Sequence, residues 1–380
     1  MKKRALTGLL TTGALALAAC GGGDGSSDTT APAEGVLKGV CPDTVVFQTD
    51  WNPEAEHGFL YELIGDDYTV DAAQARVSGT LVDGDSSTGV RVEVRSGGPA
   101  IGFQRVTSLL YQDPDIMLGF VSTDEAVDLS GEFPTVAVVA PFNINPQIIM
   151  WDPATYPEVK TIADLKATGA KVRYFDGAAY MDYLTQEGIL DKAQVDGTYD
   201  GQPASFIADG GKAAQQGFGT SEPFYYKNVL EQWLKDVEYQ YIHDAGWTAY
   251  AQSLAGKPET IEANDACLKL LVPIVQRAQR NYVASPEGTN ALIVDAVETI
   301  NNGWAYTADQ AAAAVVKMLE DKLVANSPDG TLGSFDLDRV TAFIEKGVKV
   351  YSAIGSKPKE GLTAGDLVTN EYIDPSITVG

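Results

Sequence analysis

Histidine and cysteine are scarce in this 380-residue chain, which has two of the first, His57 and His243, and three of the second, Cys20, Cys41 and Cys267. The scarcity removes the parts for most metal and nucleophilic chemistry. His-Glu-x-x-His, Cys-x-x-Cys and the phosphate-cradling Gly-x-x-x-x-Gly-Lys-[Ser/Thr] are all missing. Basic residues are few as well, with 27 lysines and arginines against 52 aspartates and glutamates and a net charge of −25. Such a balance excludes a nucleic-acid partner, because those proteins displace counterions with a basic surface. Beyond the N-terminal segment no apolar run approaches the roughly 20 residues of a membrane-spanning helix. What is present is 44% hydrophobic residues over a length sufficient for two or three domain-sized units.

The N-terminus has a distinct chemistry. Lys2, Lys3 and Arg4 precede an uncharged stretch from Ala5 to Ala19, and Leu17-Ala18-Ala19-Cys20 closes it. This pattern predicts a lipoprotein signal peptide over 1–19, with Cys20 as the acylated residue that holds the mature chain to the outer face of a membrane. Gly21 to Thr30 has no apolar content from which to build a core, so 20–39 reads as a solvated tether. Outside the cell Cys41 and Cys267 form an even pair, and a disulfide is expected over the alternative of two buried thiols.

The remainder alternates strand and helix. Val45 to Thr49 reads as a strand broken by Asp50-Trp51-Asn52-Pro53, and Val90, Val92 and Val94 alternate as a second strand before Ser96-Gly97-Gly98-Pro99. Ile116 to Val121 is a third, followed by the helix start Ser122-Thr123-Asp124. Such units predict an α/β fold with a parallel sheet and ligand groups at the carboxyl ends of its strands. A second set follows, with a capping-box pattern at Thr161 to Asp164, a strand at Lys171 to Phe175, and Asp176-Gly177 leading into a helix. Val136 to Phe142 and Val237 to Ile242 are the candidate crossovers, the latter read as a strand returning to the first lobe. The predicted segments are 40–140 for the first part of lobe 1, 141–240 for lobe 2, and 241–380 for the return of lobe 1 and helices at the C-terminal end.

Val45 to Pro53, then Glu56-His57-Gly58-Phe59-Leu60-Tyr61, resembles the opening of solute-binding proteins for pyrimidine precursors of thiamine. Gly97 to Ala100, Gly119 to Asp124 and Ser221 to Phe224 follow in the expected order. The resemblance covers about residues 40 to 300 and extends to the nitrate, sulfonate and taurine-binding group. It implies a two-lobed class II periplasmic-binding-protein-like fold with a hinge. It further implies a protein that closes on one small molecule and delivers it to an ABC permease and ATPase; a monomer is expected, touching the membrane through the Cys20 lipid anchor only. A pyrimidine-precursor synthase shares that fold, but its cysteine-rich metal motif is absent here, so neither catalysis, cofactor nor metal is expected. The chain departs from the family in an insertion from Asp66 to Gly89, read as an extra hairpin, and in a long helical tail after Trp304.

The candidate site residues lie at predicted strand ends. Trp51, Tyr61, Tyr180, Tyr225 and Trp247 can sandwich a flat ring, and Asp50, Asp124, Asp176 and Glu222 can accept hydrogen bonds from ring nitrogens. His57, Asn52, Gly98, Pro99, Thr123 and Gly177 complete the set. Each has a plainer alternative: Trp51 as a surface plug, His57 and Glu222 as local caps, His243 and Trp247 as core or hinge packing, Gly97-Gly98 as a tight turn. The alternative ligand is a sulfonate or other oxyanion held at the helix starts near Gly98, Thr123 and Gly177, with Arg95 and Arg173 nearby. A lipoprotein presenting the same ligand to a membrane sensor would use the same cleft.

Overall fold

The computed structural model describes residues 35–380, so the expected signal peptide and Cys20 lie outside the described residues. Val45, Val46 and Phe47 are all buried, as suits a strand covered on both faces by helices. They belong to β1 (Thr44–Gln48), at the centre of a seven-stranded sheet with β2 (Thr69–Asp71), β3 (Arg76–Asp83), β4 (Ser86–Arg95), β5 (Leu118–Val121) and β6 (Val136–Val139). The second sheet contains β7 (Gln147–Trp151), β8 (Val172–Arg173), β9 (Val195–Asp196), β10 (Ala214–Phe218) and β11 (Glu238–Tyr241). The chain then returns to the first sheet as β12 (Ser253–Gly256).

The first sheet runs β2-β3-β4-β1-β5-β12-β6, and the second β11-β7-β10-β8-β9. Apart from the β2–β3 addition both have one plan. A first strand lies between parallel second and third strands (β4-β1-β5 and β9-β8-β10). Next to the third comes an antiparallel strand that has just crossed from the other lobe, β12 in one case and β7 in the other. This is a two-lobed periplasmic-binding-protein-like α/β topology, joined by residues 140–146 and 242–252.

Two strand assignments differ from expectation. β11 stays in the second sheet, where Tyr241 pairs with Ile148, and the returning strand is the small-residue segment Ser253–Gly256. Ser-Leu-Ala-Gly has no alternation to mark it, and it is set in place by pairing between β5 and β6. The 66–89 insertion supplies β2 and β3, which lengthen the first sheet, β3 antiparallel to β4 and β2 antiparallel to β3. Arg277 makes a two-pronged ion pair with Asp83, at 2.9 and 2.8 Å, tying that hairpin to the Asp265–Ala284 helix. The same helix carries Cys267, whose sulfur is 2.02 Å from that of Cys41.

Two helices near the C-terminal end touch both lobes. Ala308–Glu320 packs against the Ala55–His57 turn of the first and the Glu222–Asn228 helix of the second. Leu337–Ala353 packs against Thr123–Leu129 of the first and Ala179–Gln186 of the second. Among the described residues no helix is long and apolar enough to cross a membrane.

Candidate functional site between the lobes

The loop after β1 is placed by its neighbour. Thr49 N–H and Oγ1 both donate to the Arg95 carbonyl at the end of β4, and Gly97 N–H donates to the Trp51 carbonyl at 2.8 Å. A Cβ at Gly97 would lie 2.3 Å from the Thr49 carbonyl oxygen, so the two loops approach as closely as they do only because that residue is glycine. Gly98, at φ +54, lies under the Trp51 ring. The next turn buries three ionisable side chains within four residues, Glu54, Glu56 and His57.

His57 is fully buried against Phe120, with Nε2 3.2 Å from Asp50 Oδ1 and 3.6 Å from Glu54 Oε1. Gln252, which immediately precedes β12, donates through Nε2 to the same Asp50 oxygen at 3.0 Å. With its proton on Nε2, His57 donates to Asp50 and leaves Nδ1 as a buried acceptor without a partner. Glu56 reaches across the seam, where the Thr220 hydroxyl of the second lobe donates to Oε1 while Oε2 has no partner. On the far side Glu222 accepts from Phe218 N–H at 2.6 Å and faces the Tyr199 hydroxyl at 3.5 Å.

The carboxyl groups raise one another. Burial, then the charges of Glu56, Asp50 and Glu222, hold Glu54 well above the usual carboxylate range. Burial pushes Glu56 up against the opposing Thr220 hydroxyl and His57. Glu222 is pushed up to about 7 by burial, which outweighs the Phe218 N–H, with Glu56 adding to the rise. Among the described residues no lysine or arginine forms an ion pair with Asp50, Glu54, Glu56 or Glu222, nor are three such side chains arranged to hold a metal ion.

Aromatic rings close the cleft. Trp51 meets Phe103 at 6.0 Å, Phe175 of the second lobe at 6.1 Å and Trp304 at 6.1 Å. Trp304 belongs to a strap, residues 301–306, that Asn302 ties to Asn52 at 2.7 Å and Tyr306 ties to Ala55 N–H at 3.1 Å. Gln310, in the helix after the strap, donates to Ser221 at 3.0 Å. Beneath lies a cavity of about 80 Å³ whose lining includes Tyr199, Glu222, Tyr225, Trp304 and Gln310.

Asp50, Trp51, Asn52, His57, Gly98, Glu222 and Tyr225 thus surround the cleft, with Pro99 opening the short turn Gly98–Ile101 beside it. Asp176 and Gly177 follow Phe175, Asp176 lying against Gly197. Other candidates are engaged elsewhere. Thr123 Oγ1 accepts from Tyr250 N–H, and Asp124 accepts the Trp247 indole N–H at 3.0 Å. Trp247 itself is enclosed by Tyr183, Phe343 and Tyr351, because a buried indole needs one acceptor and a large apolar surround. These three residues fasten the 242–252 crossing. His243 stands there beside Arg339, its pKa drawn down to about 4 by burial and by that guanidinium. Tyr180 donates to Gln216 inside the second lobe, and Tyr61 is enclosed in the first. Arg95 pairs with Glu93 and Asp113, and Arg173 with Asp209, so both cations are already neutralised.

Sequence reasoning missed Glu54, Glu56, Thr220, Gln252 and Trp304. Glu54 and Glu56 carried a signal, two carboxylates flanking proline and histidine at a strand end. Nothing around Gln252 distinguishes it, since tertiary packing alone brings it to Asp50.

No protein-family model and no curated protein matches the sequence. In structure the chain is similar to a protein from Bordetella bronchiseptica RB50, at TM-score 0.55 and 15% identity over 87% of this chain and 96% of that one. It is also similar to the periplasmic aliphatic sulphonate binding protein SsuA of Escherichia coli, at TM-score 0.51 and 15% identity over 85% and 96%. A third likeness is to the zinc-bound ligand-binding component of an ABC-type import system from Staphylococcus aureus, at TM-score 0.51 and 12% identity over 88% and 100%. At these identities the likeness is one of fold, the periplasmic-binding-protein fold.

Proposed function

We propose that the protein is the extracytoplasmic solute-binding subunit of an ABC importer, held to the membrane through Cys20, and that it closes on a small nitrogen heterocycle and delivers it to a permease and ATPase. It acts by binding, as a monomer, and performs no catalysis. The observation that carries this reading is the convergence of Asp50, Glu54 and Glu56 from one lobe and Glu222 from the other on a seam lined by Trp51, Phe175 and Trp304. Ring nitrogens bearing hydrogen suit such acceptors, and flat rings suit the aromatic walls. The disulfide between Cys41 and Cys267 belongs to the same reading, as a brace of the first lobe. A sulfonate is served less well, because Arg95 and Arg173 are committed to carboxylates.

Mass spectrometry of small molecules released on denaturing the protein purified from its native host is the direct test. A nitrogen heterocycle in stoichiometric amount is expected. A sulfonate in its place overturns the ligand assignment, and the lack of any bound molecule overturns solute capture.

A further inference from the structure

We infer that the ligand of this cleft is an organic cation rich in N–H donors, and that Glu56 is its principal counter-ion. The inference rests on the solute-binding reading and specifies the charge of the solute. Four unpartnered buried atoms around the seam are acceptors: Glu56 Oε2, Gln252 Oε1, Gln310 Oε1 and His57 Nδ1 in the tautomer that serves Asp50. Two unpartnered donors lie near them, the Trp304 indole N–H on the strap and the Tyr61 hydroxyl on the Glu54 side, so acceptors outnumber donors. Buried polar atoms are nearly always satisfied, so a group of orphan acceptors marks where a donor belongs.

Charge leads to the same conclusion. The cleft contains Asp50, Glu54, Glu56 and Glu222, and the single basic side chain among them is His57, whose Nε2 already serves Asp50. An anion would add negative charge to a cluster of four carboxyl groups, three of which burial and one another already push toward the protonated form, and a neutral ligand would leave Glu56 with a buried, uncompensated oxygen. A cation relieves both. The rings of Trp51 and Trp304 favour an organic cation through a cation–π contribution, and among the described residues no three His, Cys, Asp or Glu side chains are arranged to hold a metal ion. Glu56 is singled out over Glu222 because the oxygens of Glu222 already serve Phe218 and Tyr199 of its own lobe, whereas Glu56 is 2% exposed with one oxygen free. Its other oxygen holds Thr220 of the opposite lobe, so charge neutralisation at Glu56 is coupled to the contact that keeps the lobes together.

Three flat probes of similar size, differing in charge, test this on the full chain by calorimetry and thermal shift: 4-aminopyridine, which is protonated at neutral pH, aniline, which is neutral, and benzenesulfonate. The expected result is that 4-aminopyridinium binds at least tenfold more tightly than aniline and that benzenesulfonate does not bind. Glu56→Gln should abolish the difference between the first two while leaving the melting temperature of the free protein equal to or above that of the parent, which shows that the variant folds. Aniline or benzenesulfonate binding as well as 4-aminopyridinium, or Glu56→Gln retaining the full preference, overturns the inference. The two proposals fail separately. A neutral heterocycle released from native protein leaves solute capture standing and removes the cation, whereas charge selectivity in a protein that carries no native solute does the reverse.

Discussion

Glu222 shows how a single carboxyl group in this cleft affects the whole protein. Its pKa stands at about 7 in the fold against 4.5 for a free glutamate, through burial and the nearby Glu56 charge and against the Phe218 N–H and Tyr199 hydroxyl. A folded-state pKa above the unfolded value means that the fold holds the proton more tightly. The stabilisation is complete below about pH 4.5 and is lost as pH rises through about 7. At roughly 1.4 kcal/mol per pKa unit the effect is on the order of 3 to 4 kcal/mol. The melting temperature of the ligand-free protein is therefore expected to fall between about pH 5 and pH 8. In Glu222→Gln, whose amide oxygen still accepts from Phe218, the fall should be clearly shallower. Melting curves of both proteins across that range check this, and equal slopes would place the titration at Glu54 or Glu56 instead.

Among the elements, the 301–306 strap is the one that the first two lobes do not themselves explain. Asn301 ends the Glu287–Ile300 helix in a left-handed conformation at φ +47, Gly303 follows at φ +95, and Thr307 caps the next helix by accepting from Gln310 N–H. The chain thus turns sharply over the cleft, and Trp304 is set against Trp51 with Tyr306 parallel behind it at 6.3 Å. A cover of this kind acts on escape more than on encounter. Trp304→Ala should speed dissociation of the co-purified solute by roughly tenfold, the effect of about 1.4 kcal/mol, with a much smaller change in the association rate. Stopped-flow fluorescence separates the two rates. A change confined to association would mean that the strap forms part of the entrance instead. The helix after the strap and the Leu337–Ala353 helix each touch both lobes, so closure is supported from two sides of the cleft.

For the molecule as a whole, the Cys41–Cys267 bond closes a loop across 226 positions and brings the segment before β1 onto the longest helix of the first lobe. By the chain-entropy account a loop of that size contributes about 5 kcal/mol. Replacing both cysteines with alanine should lower the melting temperature by several degrees while preserving the order of probe affinities, since neither cysteine lines the cavity. Loss of that order would tie the disulfide to the site. The α/β class, the position of β1, the added hairpin and the run of helices after residue 260 were legible in the sequence, because each rests on local signals: alternating valines, strand-end breakers, helical spacing. The cluster around Asp50 and His57 was half legible, since those two residues and Glu56 sit within one short segment. Which lobe receives Glu238–Tyr241, that a segment as plain as Ser253–Gly256 completes the first sheet, and that Asp124 and Trp247 fasten a crossing were decided by tertiary structure. Strand pairing and the satisfaction of buried polar groups depend on partners far along the chain, as Gln252 is 202 positions from Asp50 and Asn302 is 250 from Asn52, and no local pattern records such a distance.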